Sequence, residues 1–436
     1  MEAFKYNHTL QGRNIRLLKV IPGAESTVLR IELMERSLDD AQFEALSYVW
    51  GDQKEKMLAI CNSKQLEIGA NLYAALLQKR RRRCTVPIWA DQICIDQNNT
   101  DEKTRQVRLM RTIYATADRV VIWLGEQQSE DEDAYSLAKH LYRKFDGRSY
   151  DINAGKYDFH DFDCRSVGVP EPLFNWRWTA FFNIISNPWF GRVWVVQELL
   201  VAKKSVMWRG RLDLDTDVIL WLAMQVGRHR NLYCNFNNTM GSPEFSALTA
   251  RDIASGYYAF KDHGPRPIYG VLSRYLGMEA TDSRDRFFAL AGVSLGLDPA
   301  FVDYKKTFRE VACLVGKMTL LGFPTYRVTG NGTELLILND NPSNHRFLID
   351  WLAFHANPKN IELGLPSWVP DLLSPHKPGL LMTGFYNSLY LQTERPLPNP
   401  RVRFSDQPVD ITGVGPTQWQ IRVPNVSRTY PFPLTP

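Results

Sequence analysis

The carboxylate of Glu198 is the side chain in this sequence whose surroundings best suit chemistry. It lies in the otherwise apolar segment at residues 192–200, with Trp194 four residues earlier on the same face of a predicted helix. A buried carboxylate is costly unless it is hydrogen-bonded or charge-paired, so Glu198 is expected to face an accessible cleft. From spacing alone, an ion pair with Arg192 or Lys203, or a solvent-facing position, is the preferred explanation.

Two further acids, Asp91 and Asp96, follow a short apolar run at residues 86–90, which is predicted to be a buried strand. The carboxyl ends of strands in an open parallel sheet form the edge at which ligands bind. Asp91, Asp96 and the neighbouring Gln97 are therefore candidate ligand-binding residues. Aspartates also accept backbone N–H groups in turns and at helix starts, and from spacing alone this capping role is the preferred explanation.

A third group of candidates lies at the end of the strand predicted at residues 43–48. Ser47 and Tyr48 offer hydroxyl groups to the same edge of the sheet, and Trp50 and Gly51 follow them in a turn. Trp50, Trp89 and Trp194 offer flat faces on which a ring of a ligand could stack. Taken singly, each tryptophan is more typical of a core residue, and Ser47 and Tyr48 also fit packing beside the sheet.

These candidates must be positioned by segments in which strand and helix patterns alternate. Strands are predicted at residues 15–20, 28–33, 43–48, 57–61, 65–68, 86–90, 119–124 and 206–209, and helices begin near residues 71, 100, 130, 177, 194 and 215. The alternation indicates an α/β fold with a mostly parallel sheet flanked by helices. Residues 147–175 show no period and are expected to form a long loop, such as a lid.

The length of the chain favours more than one domain. A chain of 436 residues exceeds the usual size of a single core. A polar, turn-rich stretch at residues 235–242 places a boundary near residue 240. We therefore predict one domain at residues 1–240, a mainly helical C-terminal region at residues 241–395, and an irregular tail at residues 396–436.

Composition excludes several classes of protein. A hydrophobic content of 44% and a charged content of 23% are those of an ordinary globular protein, and a net charge of +5 is too small to indicate nucleic acid binding. The six cysteines have no metal-like spacing, so no metal is predicted, and reduced thiols favour a cytoplasmic or nuclear protein. No signal peptide and no membrane segment are expected. Phosphate-loop, dinucleotide-loop and hydrolase-elbow motifs are absent, so no bound cofactor is predicted.

The strongest basic run, Lys79 to Arg83, follows a predicted helix. It could serve as a nuclear address or a phosphate-binding patch. A solvated helix end, where cations oppose the helix dipole, is the preferred explanation.

Three blocks taken together resemble the heterokaryon-incompatibility (HET) domain of filamentous fungi. They are residues 45–51, residues 89–97 with the helix and strand that follow, and residues 192–198, so the motif blocks cover about residues 43–200. HET domains are associated with non-self recognition and with programmed cell death when fungal cells of different genotype fuse. The resemblance therefore implies a role in fungal innate immunity.

HET domains are in turn similar to TIR domains, which implies a TIR-like, flavodoxin-like sheet. The segment from Trp194 to Leu199 resembles a TIR segment whose glutamate is catalytic in members that cleave NAD, although Val195 stands where that segment has cysteine. By this match Glu198 would be the catalytic carboxylate of an NAD glycohydrolase (NADase), with NAD as substrate and not as cofactor. Arg192 and the candidates at the sheet edge would bind the nucleotide.

Three functions fit these observations. The first is a cell-death effector that hydrolyses NAD or a related nucleotide after self-association. The second is a non-enzymatic signalling module that self-associates or binds a separate sensor or receptor protein. The third, less favoured, is a metabolic enzyme that acts on a small molecule with the same fold.

Overall fold

The structure is a computed structural model of the whole chain. It describes residues 2–147, 164–172, 175–228, 230–240, 246–275, 277–295, 297 and 299–321, together with six strands between residues 325 and 431. Most of the loop predicted at residues 147–175 lies outside the described residues. So does most of the tail predicted at residues 396–436 apart from its strands. No helix in the described part of the chain is long and apolar enough to cross a membrane.

The chain divides into two compact units. The first consists of Met1–Arg266, Met278–Ala280 and Val302–Tyr304, and the second contains the remaining residues. The first unit therefore runs past the boundary predicted near residue 240, because helices occupy both sides of it. The division into domains at residues 240 and 395 stays a prediction.

A nine-stranded sheet forms the centre of the first unit, in the spatial order β5-β4-β2-β1-β6-β3-β7-β8-β9. Its strands are β1 Asn14–Val20, β2 Arg30–Ser37, β3 Glu44–Tyr48, β4 Lys56–Cys61, β5 Lys64–Gly69, β6 Ile88–Trp89, β7 Arg119–Trp123, β8 Ser205–Arg209 and β9 Leu212–Asp215. The middle of the sheet is buried on both faces, since Val120, Val121 and Ile122 in β7 are fully inaccessible to solvent.

The sheet is mixed, so the prediction of a mostly parallel sheet was wrong. Strands β6, β3, β7 and β8 run parallel to one another, and β4 runs parallel to β2. The pairs β1–β2, β1–β6, β4–β5 and β8–β9 are antiparallel. Short connections join β1 to β2, β4 to β5 and β8 to β9, and a short connection reverses the chain where a parallel pair needs a long crossover.

The four central parallel strands have a recognisable order. Numbered by themselves along the chain, β3, β6, β7 and β8 lie in the spatial order 2-1-3-4. Flavodoxin-like sheets have the order 2-1-3-4-5, and their ligands bind where the winding reverses, beside the first strand. Here the fifth position is held by β9, which is antiparallel. A flavodoxin-like or TIR-like fold is therefore not confirmed, but the point of reversal lies between β3 and β7.

Helices of the first unit connect and flank these strands. They are α1 Ala70–Arg81, α2 Asp91–Cys94, α3 Thr100–Thr116, α4 Asp131–Lys144, α5 Trp176–Ile185, α6 Trp194–Leu200, α7 Thr216–Arg228, α8 Arg230–Met240 and α9 Ser246–His263. A one-turn 3-10 helix, Pro188–Gly191, precedes α6. Asn99 caps α3 by accepting the Glu102 N–H, and Asn175 caps α5 by accepting the Arg177 N–H.

The described part of the second unit begins with helices and continues with strands. Its helices are α10 Ile268–Tyr275, α11 Asp285–Ala291 and α12 Phe308–Leu321. Two short strands, β10 Arg266–Pro267 and β11 Ser294–Leu295, pair with each other. Two three-stranded sheets follow, made of β12 Thr325–Gly330, β13 Thr333–Leu338, β14 Arg401–Arg403, β15 Asp410–Gly415, β16 Gln418–Val423 and β17 Val426–Pro431.

Three cations of the basic run at the end of α1 are held within the first unit, whereas Arg81 and Arg83 are exposed, as in the solvated helix end that we expected. Lys79 is fully buried, and its Nζ lies 2.5 Å from Oε2 of Glu44. Arg80 donates to the carbonyl oxygen of Thr27, and Arg82 forms an ion pair with Asp213. A run held in this way offers no continuous basic face, so neither a nuclear address nor a phosphate patch gains support.

Glu44 is the buried anion that organises this region. Besides its ion pair with Lys79, Glu44 forms an ion pair with Arg119, whose Nε lies 2.6 Å from Oε1 of Glu44. The glutamate is only 3% exposed. Burial alone would raise the pKa of Glu44, but the two cations outweigh burial and lower it below the ordinary value. The ion pairs of Glu44 join α1 and β7 to the amino end of β3, the strand that carries Ser47 near its carboxyl end.

We predict that Lys79→Met destabilises the first unit by about 3–5 kcal/mol at pH 7, because Glu44 keeps only one cation for its buried charge. Arg81→Met is the matched control on the same helix. Its pairs with Glu25 and Glu126 are exposed at 3.3 and 3.9 Å, and such pairs contribute about 0–1 kcal/mol. Urea unfolding of the three proteins measures both values. Equal losses in the two variants would show that the Glu44 cluster has no special role.

Candidate functional site

The predicted site residues from β3 and from the segment after β6 meet at the carboxyl edge of the parallel strands. Ser47 and Tyr48 end β3, whose register places them beside Ile122 and Trp123 of β7. β6 pairs with β3 on its other side and leads into Asp91. Helix α6 brings Glu198 to the same place. The edge is therefore built from three segments that are far apart in sequence.

Glu198 is held by Ser47. The Ser47 hydroxyl and Oε2 of Glu198 form a short hydrogen bond, and the indole Nε1 of Trp189 lies 2.7 Å from the same hydroxyl oxygen. An indole N–H can only donate, so the Ser47 oxygen accepts from Trp189 and is free to direct its own proton at the charged form of Glu198. When Glu198 is charged, Trp189 therefore donates to Ser47, and Ser47 donates to Glu198.

Burial gives Glu198 an unusual pKa. The residue is 1% exposed and Ser47 is fully buried. Burial raises the pKa of Glu198 from 4.5 to about 7, against the lowering effects of Arg192 and of the Ser47 hydrogen bond. The carboxyl group is therefore divided between its neutral and charged forms near physiological pH, as is required of a general acid or base that works there.

Arg192 is the cation of this edge. It is half-buried, and its guanidinium donates to the backbone carbonyl of Tyr48. Its charge lowers the pKa of Glu198 and of Asp91, and in both groups burial acts in the opposite direction. Arg192 thus favours the charged form of two carboxyl groups at once.

Asp91 forms a second polar group with Trp50 and Tyr48. The Trp50 indole donates to Oδ2 of Asp91 at 2.9 Å, and Oδ1 accepts the Gln92 N–H at 2.8 Å. Burial raises the pKa of Asp91. Burial and the nearby Asp91 carboxylate, with which the Tyr48 hydroxyl interacts, raise the pKa of Tyr48. The Tyr48 hydroxyl is therefore a buried member of the Asp91 group.

The remaining candidates surround this group. Gln97 donates to the backbone carbonyl of Asp91 at 2.9 Å, which closes the turn after β6. Gly51 is exposed and has φ +70°, a conformation that favours glycine. Trp194 is half-buried at the start of α6. Trp50 and Gln97 both donate hydrogen bonds to Asp91 and so help to position it, and their binding of a ligand stays a prediction.

Asp96 belongs to a different cluster. Its Oδ1 accepts the Asn98 N–H at 3.1 Å, which is the turn-capping role that spacing alone favoured. Its own N–H donates to Glu102, and Glu102 accepts Arg16 at 2.5 Å. Burial alone would raise the pKa of Glu102, but Arg16 and backbone N–H groups lower it. Asp96 therefore helps to hold the start of α3 and is not part of the Glu198 group.

Sequence reasoning missed two members of the site. Trp189 fixes the direction of the Ser47 proton, and Tyr114 donates to the carbonyl of Leu46 at 3.0 Å beneath the edge. Asn187 and Pro188 before Trp189 are a helix-start signal, and they do begin the 3-10 helix. That signal indicates local structure only, so the contact of Trp189 with β3 becomes visible in the fold and not before.

No cluster of histidine, cysteine, aspartate or glutamate in the described residues is arranged to hold a metal ion. A cavity of about 480 Å³ does occur, at the opposite end of the parallel strands. It is lined by the start of β8, the end of β9 and the start of α7, with three lysines and three aspartates among its residues. The cavity contains none of the predicted site residues.

We predict that Glu198 makes the stability of the protein depend on pH. A carboxyl group whose folded-state pKa is about 7 and whose ordinary value is 4.5 stabilises the fold fully below pH 4.5, and this stabilisation is lost as the pH rises towards 7. At about 1.4 kcal/mol for each pKa unit, the whole loss is roughly 3 kcal/mol.

The measurement is urea unfolding at pH 5 and pH 7.5 of the natural protein and of Glu198→Gln. Part of the loss has already occurred at pH 5, so the difference in unfolding free energy between the two proteins should shift by roughly 2 kcal/mol between these pH values, in favour of the glutamine variant at the higher pH. A difference that does not change with pH would show that Glu198 titrates near its ordinary pKa.

Comparison with known proteins bears on the identity of this arrangement. Residues 43–198 match the family described as Heterokaryon incompatibility protein (HET), a range that begins beside β3 and ends at Glu198. The chain is also similar to Heterokaryon incompatibility protein 6, OR allele, of Neurospora crassa, with 27% identity over 372 residues, which cover 75% of this chain and 52% of that protein. The chain thus spans about half the length of the curated relative it matches. No solved structure matches the chain.

The family match and the curated relative confirm the resemblance that the three sequence blocks indicated. The matched range contains β3, β6, β7 and the beginning of α6, which are the elements that assemble the Ser47–Glu198 group. Residues 43–198 are thus similar to a heterokaryon-incompatibility domain, and the family match and the relative together support a HET domain protein.

Proposed function

We propose that this protein is an effector of fungal non-self recognition and programmed cell death, and that its HET domain hydrolyses NAD or a related nucleotide. The family match and the heterokaryon-incompatibility relative support the biological role. The site supports the chemistry. The observation that carries the proposal is Glu198, a buried carboxyl group with a pKa of about 7, hydrogen-bonded to Ser47 at the carboxyl edge of β3.

The proposed reaction breaks the bond between C1′ of the ribose and N1 of nicotinamide. The bonding electron pair leaves with nicotinamide and neutralises its ring nitrogen, so the leaving group needs no proton. The ribose becomes an oxocarbenium-like cation, as in glycoside hydrolysis. A water oxygen then bonds to C1′ and releases one proton, and the products are ADP-ribose and nicotinamide.

Each group at the edge has a part in this proposal. The carboxylate form of Glu198 stabilises the developing cation and accepts the proton from the attacking water. Ser47 keeps one carboxylate oxygen occupied, which leaves the other oxygen for the reaction. Arg192 is the cation for the phosphates of the nucleotide, and Trp50 or Trp194 is the flat surface for its ring.

The location of the group supports binding of a nucleotide. In sheets that wind in both directions, ligands lie at the carboxyl ends of the strands, where the winding reverses. Among the four parallel strands the reversal lies between β3 and β7, and Ser47 and Tyr48 stand at that end of β3. The similarity of the segment from Trp194 to Leu199 to the NAD-cleaving TIR segment points to the same role for Glu198.

A non-enzymatic function is the second candidate, and one observation favours it. Glu198 is 1% exposed and is hydrogen-bonded, so in this structure it is also a satisfied core residue. In that account the domain self-associates or binds a separate sensor protein, and Glu198 with Ser47 serves to join α6 to the sheet. The two accounts differ in whether loss of the charge abolishes a reaction.

We predict that the purified protein releases nicotinamide from NAD and that Glu198→Gln lowers the rate at least about 100-fold, because the amide cannot accept a proton or balance a cation. The assay measures nicotinamide across a range of protein concentrations, since activity that depends on self-association rises more steeply than the concentration. Glu67→Gln, the same change on the exposed edge strand β5, is the control.

A cytoplasmic site of action is part of this proposal, since NAD is available there. Nicotinamide release that disappears in Glu198→Gln but not in Glu67→Gln supports the hydrolase. If no release occurs at any concentration, while Glu198→Gln still triggers cell death as well as the natural protein does, the non-enzymatic account replaces it.

A further inference from the structure

The segment that carries Arg192 is tied down by three residues from a distant part of the chain. The Glu279 N–H donates to the carbonyl of Gly191 at 2.7 Å, and the Val193 N–H donates to the carbonyl of Glu279 at 3.0 Å. Arg192 and Glu279 thereby form an isolated parallel β-bridge. We call Met278–Ala280 the strap.

The strap controls the position of the two charged groups of the candidate site. Arg192 lies inside the bridge and donates to the backbone of Tyr48. Val193 is the residue on which α6 begins, so its position sets where Glu198 lies. The bond from Val193 to the strap therefore holds the entry to α6, and the bond from Gly191 holds the end of the 3-10 helix before it.

The strap is a three-residue segment that a later part of the chain contributes to the first unit. Within residues 267–301, only Met278–Ala280 belong to the first compact unit, and the residues on either side belong to the second. Met278 is 3% exposed, which anchors the strap, whereas Glu279 is exposed and contributes backbone bonds to the bridge. The side chain of Glu279 lies against Gly191, with its carboxyl carbon 3.6 Å from where a Cβ would stand.

With the strap in place the candidate site is closed. Ser47 is fully buried and Glu198 is 1% exposed, so C1′ of a bound nucleotide cannot reach the carboxylate. The strand on which Ser47 and Tyr48 lie is fixed by the buried sheet, since β3 is paired on both sides. Glu198 itself is carried by α6, which lies outside the sheet, and the segment that leads into α6 is the one that the strap holds.

We infer that Met278–Ala280 is an autoinhibitory strap, which holds Gly191–Val193 and α6 in the closed arrangement until it is released. This inference rests on the proposed function, because it names how that site is regulated. Two features fit a contact that can be released. Both bonds of the bridge are made by the backbone of a single residue, Glu279, and the chain on both sides of the strap belongs to the other compact unit.

The test removes one hydrogen bond between the strap and Val193 by a substitution that the backbone conformation at Val193 permits. Val193 has φ −63° and Arg192 has ψ 131°, values that suit a proline and the residue before it. Val193→Pro deletes the N–H that donates to Glu279. Val193→Ala is the matched control, since it shortens the same buried side chain and keeps the N–H.

Hydrogen exchange of the amides in Trp194–Leu200 measures opening without reference to any reaction, and nicotinamide release from NAD is measured beside it. We expect Val193→Pro to speed exchange in α6 at least about tenfold relative to Val193→Ala, with unchanged exchange in β7, and to raise nicotinamide release at least about tenfold. Glu279→Pro, with Ala280→Pro as its control, repeats the test from the other side of the bridge if exchange in β7 shows that Val193→Pro is unfolded.

The outcomes separate the strap from the proposed reaction. If α6 exchanges equally in the proline and alanine variants, the strap does not hold the site closed and the inference is overturned. Faster exchange without faster cleavage of NAD, in a protein that does cleave NAD, overturns it as well. Faster exchange with no cleavage in any variant supports the strap and contradicts the NAD hydrolase.

Discussion

The hydrogen bond between Ser47 and Glu198 is the interaction on which the arrangement of this domain depends. It joins a helix to the end of a strand that precedes it by about 150 residues, and it satisfies the one carboxyl group that α6 buries. A carboxyl group in an apolar setting is tolerated because it is hydrogen-bonded and because it can stay partly protonated at neutral pH. Trp189 gives that hydrogen bond a direction, and Arg192 limits how far the pKa of Glu198 can rise.

The charged residues of the first unit separate into groups with different tasks. Glu44 with Lys79 and Arg119, and Glu102 with Arg16, are buried pairs in which cations lower the pKa of the carboxylate, so both glutamates stay charged and fasten elements together. Glu198 and Asp91 share one half-buried arginine, and burial raises the pKa of both. The perturbed carboxyl groups lie at the carboxyl edge of the sheet and the satisfied pairs lie elsewhere, which is the contrast expected between a functional site and a structural one.

Much of the first unit could be predicted from sequence because its segments are locally consistent. The apolar run at β7, the turns after β1 and β4, and the capped start of α3 identify strands and helices within a few residues. The direction of the strands could not be predicted so well, since pairing between β1 and β6 or β2 and β4 depends on contacts distant in sequence. For the same reason the burial of Lys79 was missed: a basic run shows charge, but not the buried Glu44 that pairs with it. Of the site, Ser47, Asp91, Arg192 and Glu198 could be named, but Trp189 could not, because only the fold brings it to β3.

The central claim is that the fold holds Glu198 ready to exchange a proton at neutral pH. It is tested most directly by carbon-13 NMR of glutamate carboxyl groups across a pH titration, with the Glu198 resonance identified by its absence in Glu198→Gln. The account predicts an apparent pKa of about 7 for that resonance. Titration near the ordinary value of 4.5 would contradict it, and would mean that burial does not govern the chemistry of this carboxyl group.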